Sequence, residues 1–385
     1  MVQTKLCVVT HTFLPHVGGI ERVVYEQCKR LMRKRFETMV LTHRNYTAKN
    51  YVFDGIKVQC YDSLNIGFRL GIPYVIPQIS SFKTFLETVK SNDLIHVHGH
   101  PYLSSFLATR IAKRYSKPLV LTQHNTFIEY NNIWDTVEKL NDLAIGKQVL
   151  KEADKIIVVS NATKNYVLSL GAAPEKIEVL HNGVDLNRFK PSSEVKDEMR
   201  KKLGISKDAR VVLTVRRLVY KNGIDTLIAS AEIAVKKNPK LVFVVVGKGP
   251  DFDEVKEKIV QLGMQRNLRL TGFVSDRDLP FYYNVADLFA LPSKSGEGLP
   301  LVALEAMATG LPVIATNVGG TSEVMSEAYG KLVPPNSPNS LAEAILEFSL
   351  KDLSVIKKNL RIMMEQKYSW DKNVEKLIKI YEELI

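Results

Sequence analysis

A chain of 385 residues, 45% of them hydrophobic, is long enough to bury two sizeable cores, so two domains are expected. No apolar run approaches the roughly 18 residues that a membrane span requires, and a short strand pattern follows Lys5 directly; a soluble, cytoplasmic protein without a signal peptide is expected. The net charge of +12 is uneven: residues 1–190 carry 25 Lys and Arg against 16 Asp and Glu, the remainder 28 against 25, so the basic excess belongs to the N-terminal half.

In chain order, strands are predicted at Lys5–Thr10, Thr38–Thr42, Leu94–Val97, Leu119–Thr122, Lys155–Val159 and Ile177–Leu180, with helical patterns between most of them. Gly18 and Gly19 lie between the first strand and a helix beginning near Glu21, where a bare backbone can approach a phosphate. That helix ends in Lys29, Arg30, Arg33, Lys34 and Arg35, with Leu31, Met32 and Phe36 interleaved. Such a cluster reads either as a solvated helix end that suits the dipole or as a contact for anionic lipid. No aromatic-studded basic groove accompanies it, which argues against nucleic acid. Cys7, Cys28 and Cys60 are scattered and odd in number, so reduced thiols are expected rather than disulfides or metal ligands. His96, His98 and His100 alternate after a strand, but no acidic or cysteine ligand is tied to them by spacing.

After the turn-rich Leu186–Ser193 segment and the polar Glu194–Lys202 stretch, a second series runs Arg210–Val215, Leu241–Val246, Leu268–Thr271, Asp287–Leu291 and Pro312–Ala315. Such alternation predicts parallel sheets covered on both faces, with ligand at the carboxyl ends of the strands. The most informative stretch follows the fourth of these strands. Ser293-Lys294-Ser295-Gly296 is turn-forming, Glu297 lies in the loop, and Pro300 suits the first position of a helix marked by Leu301, Leu304 and Met307. Glu305 then sits about a turn and a half into the helix, beyond the exposed amides near Leu301 and Val302. Two carboxylates so placed can accept hydrogen bonds from hydroxyls on two sugar rings, with a diphosphate at the amides; the plain alternative is an amphipathic helix with two solvated glutamates.

The set of motifs resembles the retaining nucleotide-sugar glycosyltransferases of family 4. Its marks are Gly18-Gly19-Ile20-Glu21, Thr122-Gln123-His124-Asn125, His181-Asn182-Gly183-Val184-Asp185, Arg217-Leu218, Val246-Gly247-Lys248-Gly249-Pro250, Gly272-Phe273-Val274, Glu297 to Glu305, and Ser369-Trp370. The resemblance implies two Rossmann-like doubly wound α/β domains facing a central cleft, the GT-B fold. Residues 1–190 would form the acceptor-binding domain, joined by a terminal helix at 366–385, and residues 191–365 the nucleotide-sugar domain. By the same resemblance Gly18 and Gly19 cradle the donor diphosphate, His124 touches the transferred sugar, and His98 lies on the acceptor side. Glu297, with Gly298 beside it, reads the sugar hydroxyls and Glu305 the ribose, while Leu301 and Val302 offer amides and Val274 contacts the base through its backbone. A UDP- or GDP-sugar donor is implied, with no metal or other cofactor, and an acceptor that is lipid-linked or otherwise anionic.

The chain departs from the family pattern at one point. Members commonly carry Arg, four residues, then Lys before Gly; here Arg217 is followed by Val219-Tyr220-Lys221-Asn222-Gly223. Either Lys221 supplies the second positive charge or Asn222 donates neutral hydrogen bonds, and a departing diphosphate needs charge more than shape, which favours Lys221. Asp251-Phe252-Asp253 and Asp276-Arg277-Asp278 spell a metal-binding signature, but both fall at predicted helix starts, where Asp serves as cap or dipole partner. Neither half carries a Gly-x-Gly-x-x-Gly fingerprint after its first strand, which argues against a nicotinamide dehydrogenase. A sugar-nucleotide epimerase, or a non-catalytic protein binding sugar nucleotides or a lipid surface, remains the alternative.

Overall fold

A computed structural model describes residues 3–44, 50–64, 74–129 and 133–385. The chain divides into two compact units, one of Met1–Thr126, Asn131–Asn182 and Trp370–Ile385, the other of Phe127–Tyr130 and Gly183–Ser369.

The first unit is built on β1 (Thr4–Val9), β2 (Phe36–His43), β3 (Asn50–Phe53), β4 (Ile56–Tyr61), β5 (Leu94–His98), β6 (Leu119–Gln123), β7 (Lys155–Val158) and β8 (Ile177–Val179). They form one sheet in the order β8-β7-β6-β5-β1-β2-β4-β3. All neighbours are parallel except β3 and β4. That antiparallel edge is absent from the sequence expectation. Asp54 and Gly55, at φ of 45° and 84°, make the tight two-residue turn that matches strand twist, so the hairpin signal was an Asp-Gly pair between two alternating runs. The sheet reverses direction beside β1, which lies between β2 and β5, so the carboxyl ends of β1 and β5 flank the crevice where such folds bind ligands.

The chain's last helix packs on this unit. Trp370, Val374, Leu377 and Tyr381 repeat at helical spacing on Trp370–Glu382, and Val374, Leu377, Ile380 and Tyr381 enter the core with Val24, Cys28 and Leu31. The first helix, α1 (Gly19–Leu31), meets it through Gln27, whose Nε2 donates to Asn373 Oδ1 at 3.1 Å.

The second unit carries β9 (Arg210–Val215), β10 (Leu241–Val246), β11 (Leu268–Gly272), β12 (Leu288–Leu291), β13 (Val313–Thr316) and β14 (Gly330–Val333), ordered β11-β10-β9-β12-β13-β14 and parallel throughout. Here the order reverses between β9 and β12. The short edge strand β14, opened by a glycine, also escaped the sequence reading. Helix α2 (Ser193–Lys202) is tied to the sheet by buried Asp287, which accepts from Arg200 Nη2, Lys196 Nζ and, through Oδ2, the Val211 N–H. Burial pushes the Asp287 carboxyl up, but Lys196, the Val211 amide and Arg200 together hold it below the usual range. No described helix is long and apolar enough to cross a membrane.

Candidate functional site

At the reversal point of the second sheet, β9 runs out at Val215 and β12 at Leu291, so the residues just beyond each are neighbours. Arg216 follows β9 and Ser293 follows β12. The Arg216 guanidinium donates from Nη1 to Ser293 Oγ at 2.7 Å, and from Nη2 to Glu297 Oε1 at 2.7 Å and to Asn222 Oδ1 at 2.9 Å. Ser293 Oγ also donates to Glu297 Oε1, at 2.6 Å. Burial pushes the Glu297 carboxyl up, yet Arg216, Lys221 and these hydrogen bonds outweigh it and hold the carboxyl below its usual range, so Glu297 is an ionised acceptor.

Two glycines pin the cluster from behind. At Gly319, φ is +54°, and a Cβ there would stand 1.8 Å from the Glu297 carbonyl oxygen. The Gly320 N–H donates to that oxygen at 3.2 Å. At Gly247, φ is +143°, and a Cβ would stand 1.7 Å from the Arg216 carbonyl oxygen. No other residue type fits either place. The loop leading to Glu297 is held through Ser295, whose Oγ accepts from the Glu129 N–H at 3.1 Å.

Glu297 leads through Gly298 into α3 (Leu301–Ala308), for which Pro300 is the N-cap rather than the first helical residue. The Pro300 carbonyl takes the Ala303 and Leu304 amides, so the Leu301 and Val302 N–H groups come before the first amide that donates within the helix. Glu305, 9% exposed, lies deeper on the helix and accepts from the Tyr283 hydroxyl at 2.7 Å. Burial first, then the Glu305 carboxylate, holds the Tyr283 phenol well above its ordinary value, so it stays a donor.

The structure separates the residues around the strand end. Arg217, next to Arg216, is exposed, and its carbonyl oxygen accepts from Asn222 Nδ2 at 2.6 Å. Asn222 is buried, whereas Lys221 is half-buried and adds to the ionisation of Glu297. Val274 lines a cavity of about 290 Å³ with Met199, Phe281 and Tyr282; neither Glu297 nor Glu305 lines that cavity. Both signatures fall at helix starts as expected: Asp251 and Asp278 are N-cap residues, though without side-chain cap bonds, and Asp253 lies in a first turn, while Asp276 pairs with Arg188 at 2.7 Å.

In the first unit, a Cβ at Gly18 would meet the carboxylate of Glu21, which accepts from Thr12 Oγ1, whereas nothing lies within 4 Å of such an atom at Gly19. At the end of β5 and just past β6, His98 Nδ1 and His124 Nε2 are 2.8 Å apart. Burial pushes His124 down to about 3 and holds His98 well below its ordinary value, so both rings are neutral and one N–H bridges them. His96 turns instead to Tyr381 and Thr122, at 2.6 and 2.7 Å, and His100 to Asp142 at 2.9 Å. The three alternating histidines thus go to three different places. Among the described residues no group of His, Cys, Asp or Glu is gathered to hold a metal ion.

The basic cluster is split in the same way. Lys29 Nζ donates to the Tyr25 hydroxyl, and Arg30 is bound to Glu26 and Asp371, while Arg33, Lys34 and Arg35 are exposed. Leu31 and Phe36 are core residues. Arg216, Ser293 and Tyr283 were missed from the sequence. For Arg216 a signal existed, because adjacent residues leaving a strand point to opposite sides and only one of two arginines can face the neighbouring strand end.

Known proteins resemble both halves. The family described as Glycosyltransferase Family 4 matches residues 17–188, and Glycosyl transferases group 1 matches residues 195–367. The D-inositol 3-phosphate glycosyltransferase of Saccharomonospora viridis is 31% identical over 74% of this chain and 69% of its own. An uncharacterized glycosyltransferase of Methanocaldococcus jannaschii is 28% identical over 98% of both chains. Among solved structures, Anabaena HepE in complex with UDP and glucose superposes with a TM-score of 0.80 at 21% identity, covering 99% of this chain and 100% of that one. Tandem matches on two such sheets, together with relatives at this identity, lead to one conclusion: the chain belongs to the family 4 glycosyltransferases, enzymes of the GT-B fold that move a sugar from a nucleotide-sugar donor to an acceptor.

Proposed function

We propose that this enzyme takes a UDP-sugar, with Glu297 accepting from hydroxyls of the transferred sugar and Glu305 from the ribose. The observation that carries the reading is the pair of carboxylates along the start of α3, each fixed by its own buried partner, at the reversal point of the second sheet. Arg217, Lys221 and the amides of Leu301 and Val302 supply positive charge for the diphosphate, with Asn222 at their side and Val274 at the base. No metal is required in this scheme. Gly18, Gly19 and His124 of the first unit serve the diphosphate and the reacting sugar.

The reaction retains the configuration of the sugar. The bond from the anomeric carbon to the diphosphate oxygen breaks, the acceptor oxygen bonds to that carbon on the same face, and the acceptor's proton passes to the leaving diphosphate. UDP is favoured over GDP because the Anabaena neighbour has also been solved with UDP-glucose. The acceptor is proposed to be lipid-linked or anionic, with His98 on its side. It is reached at the cytoplasmic face of a membrane through Arg33, Lys34 and Arg35.

Thermal-shift measurement tests the donor. UDP at about 100 times its Kd should stabilise the protein by about 2.7 kcal/mol, and UDP-glucose by more at equal concentration. Substituting Glu297→Gln should keep the UDP shift and abolish the extra shift from the glucose. A GDP-mannose shift without a UDP-glucose shift reassigns the base; no shift from either refutes the donor reading.

A further inference from the structure

The Arg216 side chain is only 5% exposed, and burying a guanidinium is costly unless its donors are met. Two of its nitrogens meet three oxygens, those of Ser293, Asn222 and Glu297. Glu297 Oε1 receives both the guanidinium and the Ser293 hydroxyl, which fixes the carboxylate in one orientation. The amide of Asn222 is itself oriented: its nitrogen donates to the Arg217 carbonyl, which leaves its oxygen to face Arg216. A lysine at position 222 would bring an ammonium where the guanidinium now finds an acceptor, and two cations would share Glu297. Arg216 is therefore matched to an acceptor, not to a cation, at position 222.

We infer that Arg216 is the positioning residue of the donor site, holding Glu297 for the sugar ring of a nucleoside diphosphate sugar, and that Asn222 is the brace this guanidinium needs. The inference rests on the donor reading above. It assigns Arg216 to recognition of the sugar rather than of the nucleotide, because its contacts end on Glu297 and not on Glu305. It also explains the departure at position 222: the cation reaches the carboxylate from the end of β9 instead of from the turn after it. Arg216 acts through Glu297, so its loss should be felt by ligands that carry the sugar and not by the bare nucleotide.

Calorimetric Kd values for UDP and UDP-glucose, and for GDP and GDP-mannose, test this with wild-type protein, R216A, R216K, N222K and R216A/N222K. Binding of the bare nucleotide serves as the check that each variant is folded. R216A should weaken the nucleotide sugar by about tenfold or more, the loss expected when a charge-assisted bond to a buried carboxylate is removed, and leave the bare nucleotide within about twofold. N222K alone should weaken the nucleotide sugar by a similar factor. In the R216A background the same change should restore affinity to within about threefold of wild type, because one cation again faces Glu297. R216K, which keeps the charge but not the fork, should fall between wild type and R216A. Wild-type binding with an unaltered R216A overturns the inference alone, as does equal loss of nucleotide and nucleotide sugar, or an N222K effect that simply adds to that of R216A. A wild-type protein that binds none of the four ligands overturns the donor reading and this inference with it.

Discussion

Two residues of the same type, Glu297 and Glu305, are held by different chemistry. Glu297 is gripped by a cation and a hydroxyl, whereas Glu305 meets the phenol of Tyr283 inside the second unit. Substituting Tyr283→Phe removes one hydrogen bond to a carboxylate while keeping the ring packed on Phe189 and Phe289. A bond of this kind contributes about 1.5–3 kcal/mol. With Glu305 on the ribose, UDP and UDP-glucose should both weaken, by about tenfold each, in contrast to the sugar-selective loss at Arg216. Calorimetry with both ligands separates the two patterns, and an unchanged Kd for UDP would detach Glu305 from the ribose. Both glutamates were legible in the sequence because their spacing places them on a loop and a helix. Tyr283 was not, since it lies 22 positions before Glu305 and only packing brings the two together.

Helix α1 illustrates how an element redistributes charge that looks uniform in the sequence. Its last turn carries Lys29 and Arg30, and three more cations follow. The face that meets the chain's last helix takes Arg30, and Lys29 folds back on Tyr25. The apolar residues interleaved with them, Leu31 and Phe36, belong to the core, so a lipid surface would meet cations without an apolar anchor. At about 1 kcal/mol for each basic residue near an anionic surface, Arg33, Lys34 and Arg35 together can supply about 3 kcal/mol. Co-flotation with vesicles containing phosphatidylserine should therefore be salt-sensitive and should fall sharply in R33S/K34S/R35S, while substitution of Lys29 changes it little. Flotation unaffected by the triple substitution would remove the membrane surface from the proposal.

Across the whole molecule, protonation links the first unit's site to its stability. His96 and His124 are pushed down to about 3 by burial, and His98 is also held well below the ordinary value of about 6.5. A folded-state value below the unfolded one means that the unfolded chain binds more protons between about pH 3 and 6.5. The stability these rings contribute is complete above pH 6.5 and is lost as pH falls through that window. Between pH 7 and pH 5, His96 and His124 each lose on the order of 2 kcal/mol of that contribution. The thermal midpoint should hence fall steeply from pH 6.5 to 5, with buried His43, lowered to about 4, adding to the slope, and His96→Gln, which keeps polar atoms near Tyr381 and Thr122, should flatten the slope in part. A midpoint independent of pH over this range would mean that the rings are hydrated rather than buried neutral.

The sequence by itself determined the alternation of strands and helices, hence two parallel sheets, and the order of the glycine, histidine and glutamate motifs along them. Those features are local: they depend on periodicity, turn chemistry and spacing within about ten residues. What only the tertiary structure decided was which side chains meet. Arg216 rather than Arg217 reaches Glu297 because β9 and β12, far apart in the chain, are adjacent where the sheet order reverses. Gly247 and Gly319 carry meaning only through the carbonyl oxygens of Arg216 and Glu297 that close over them. Asn222 reads as a missing lysine in one dimension and as the partner of a buried guanidinium in three, since charge and hydrogen-bond complementarity belong to neighbours in space.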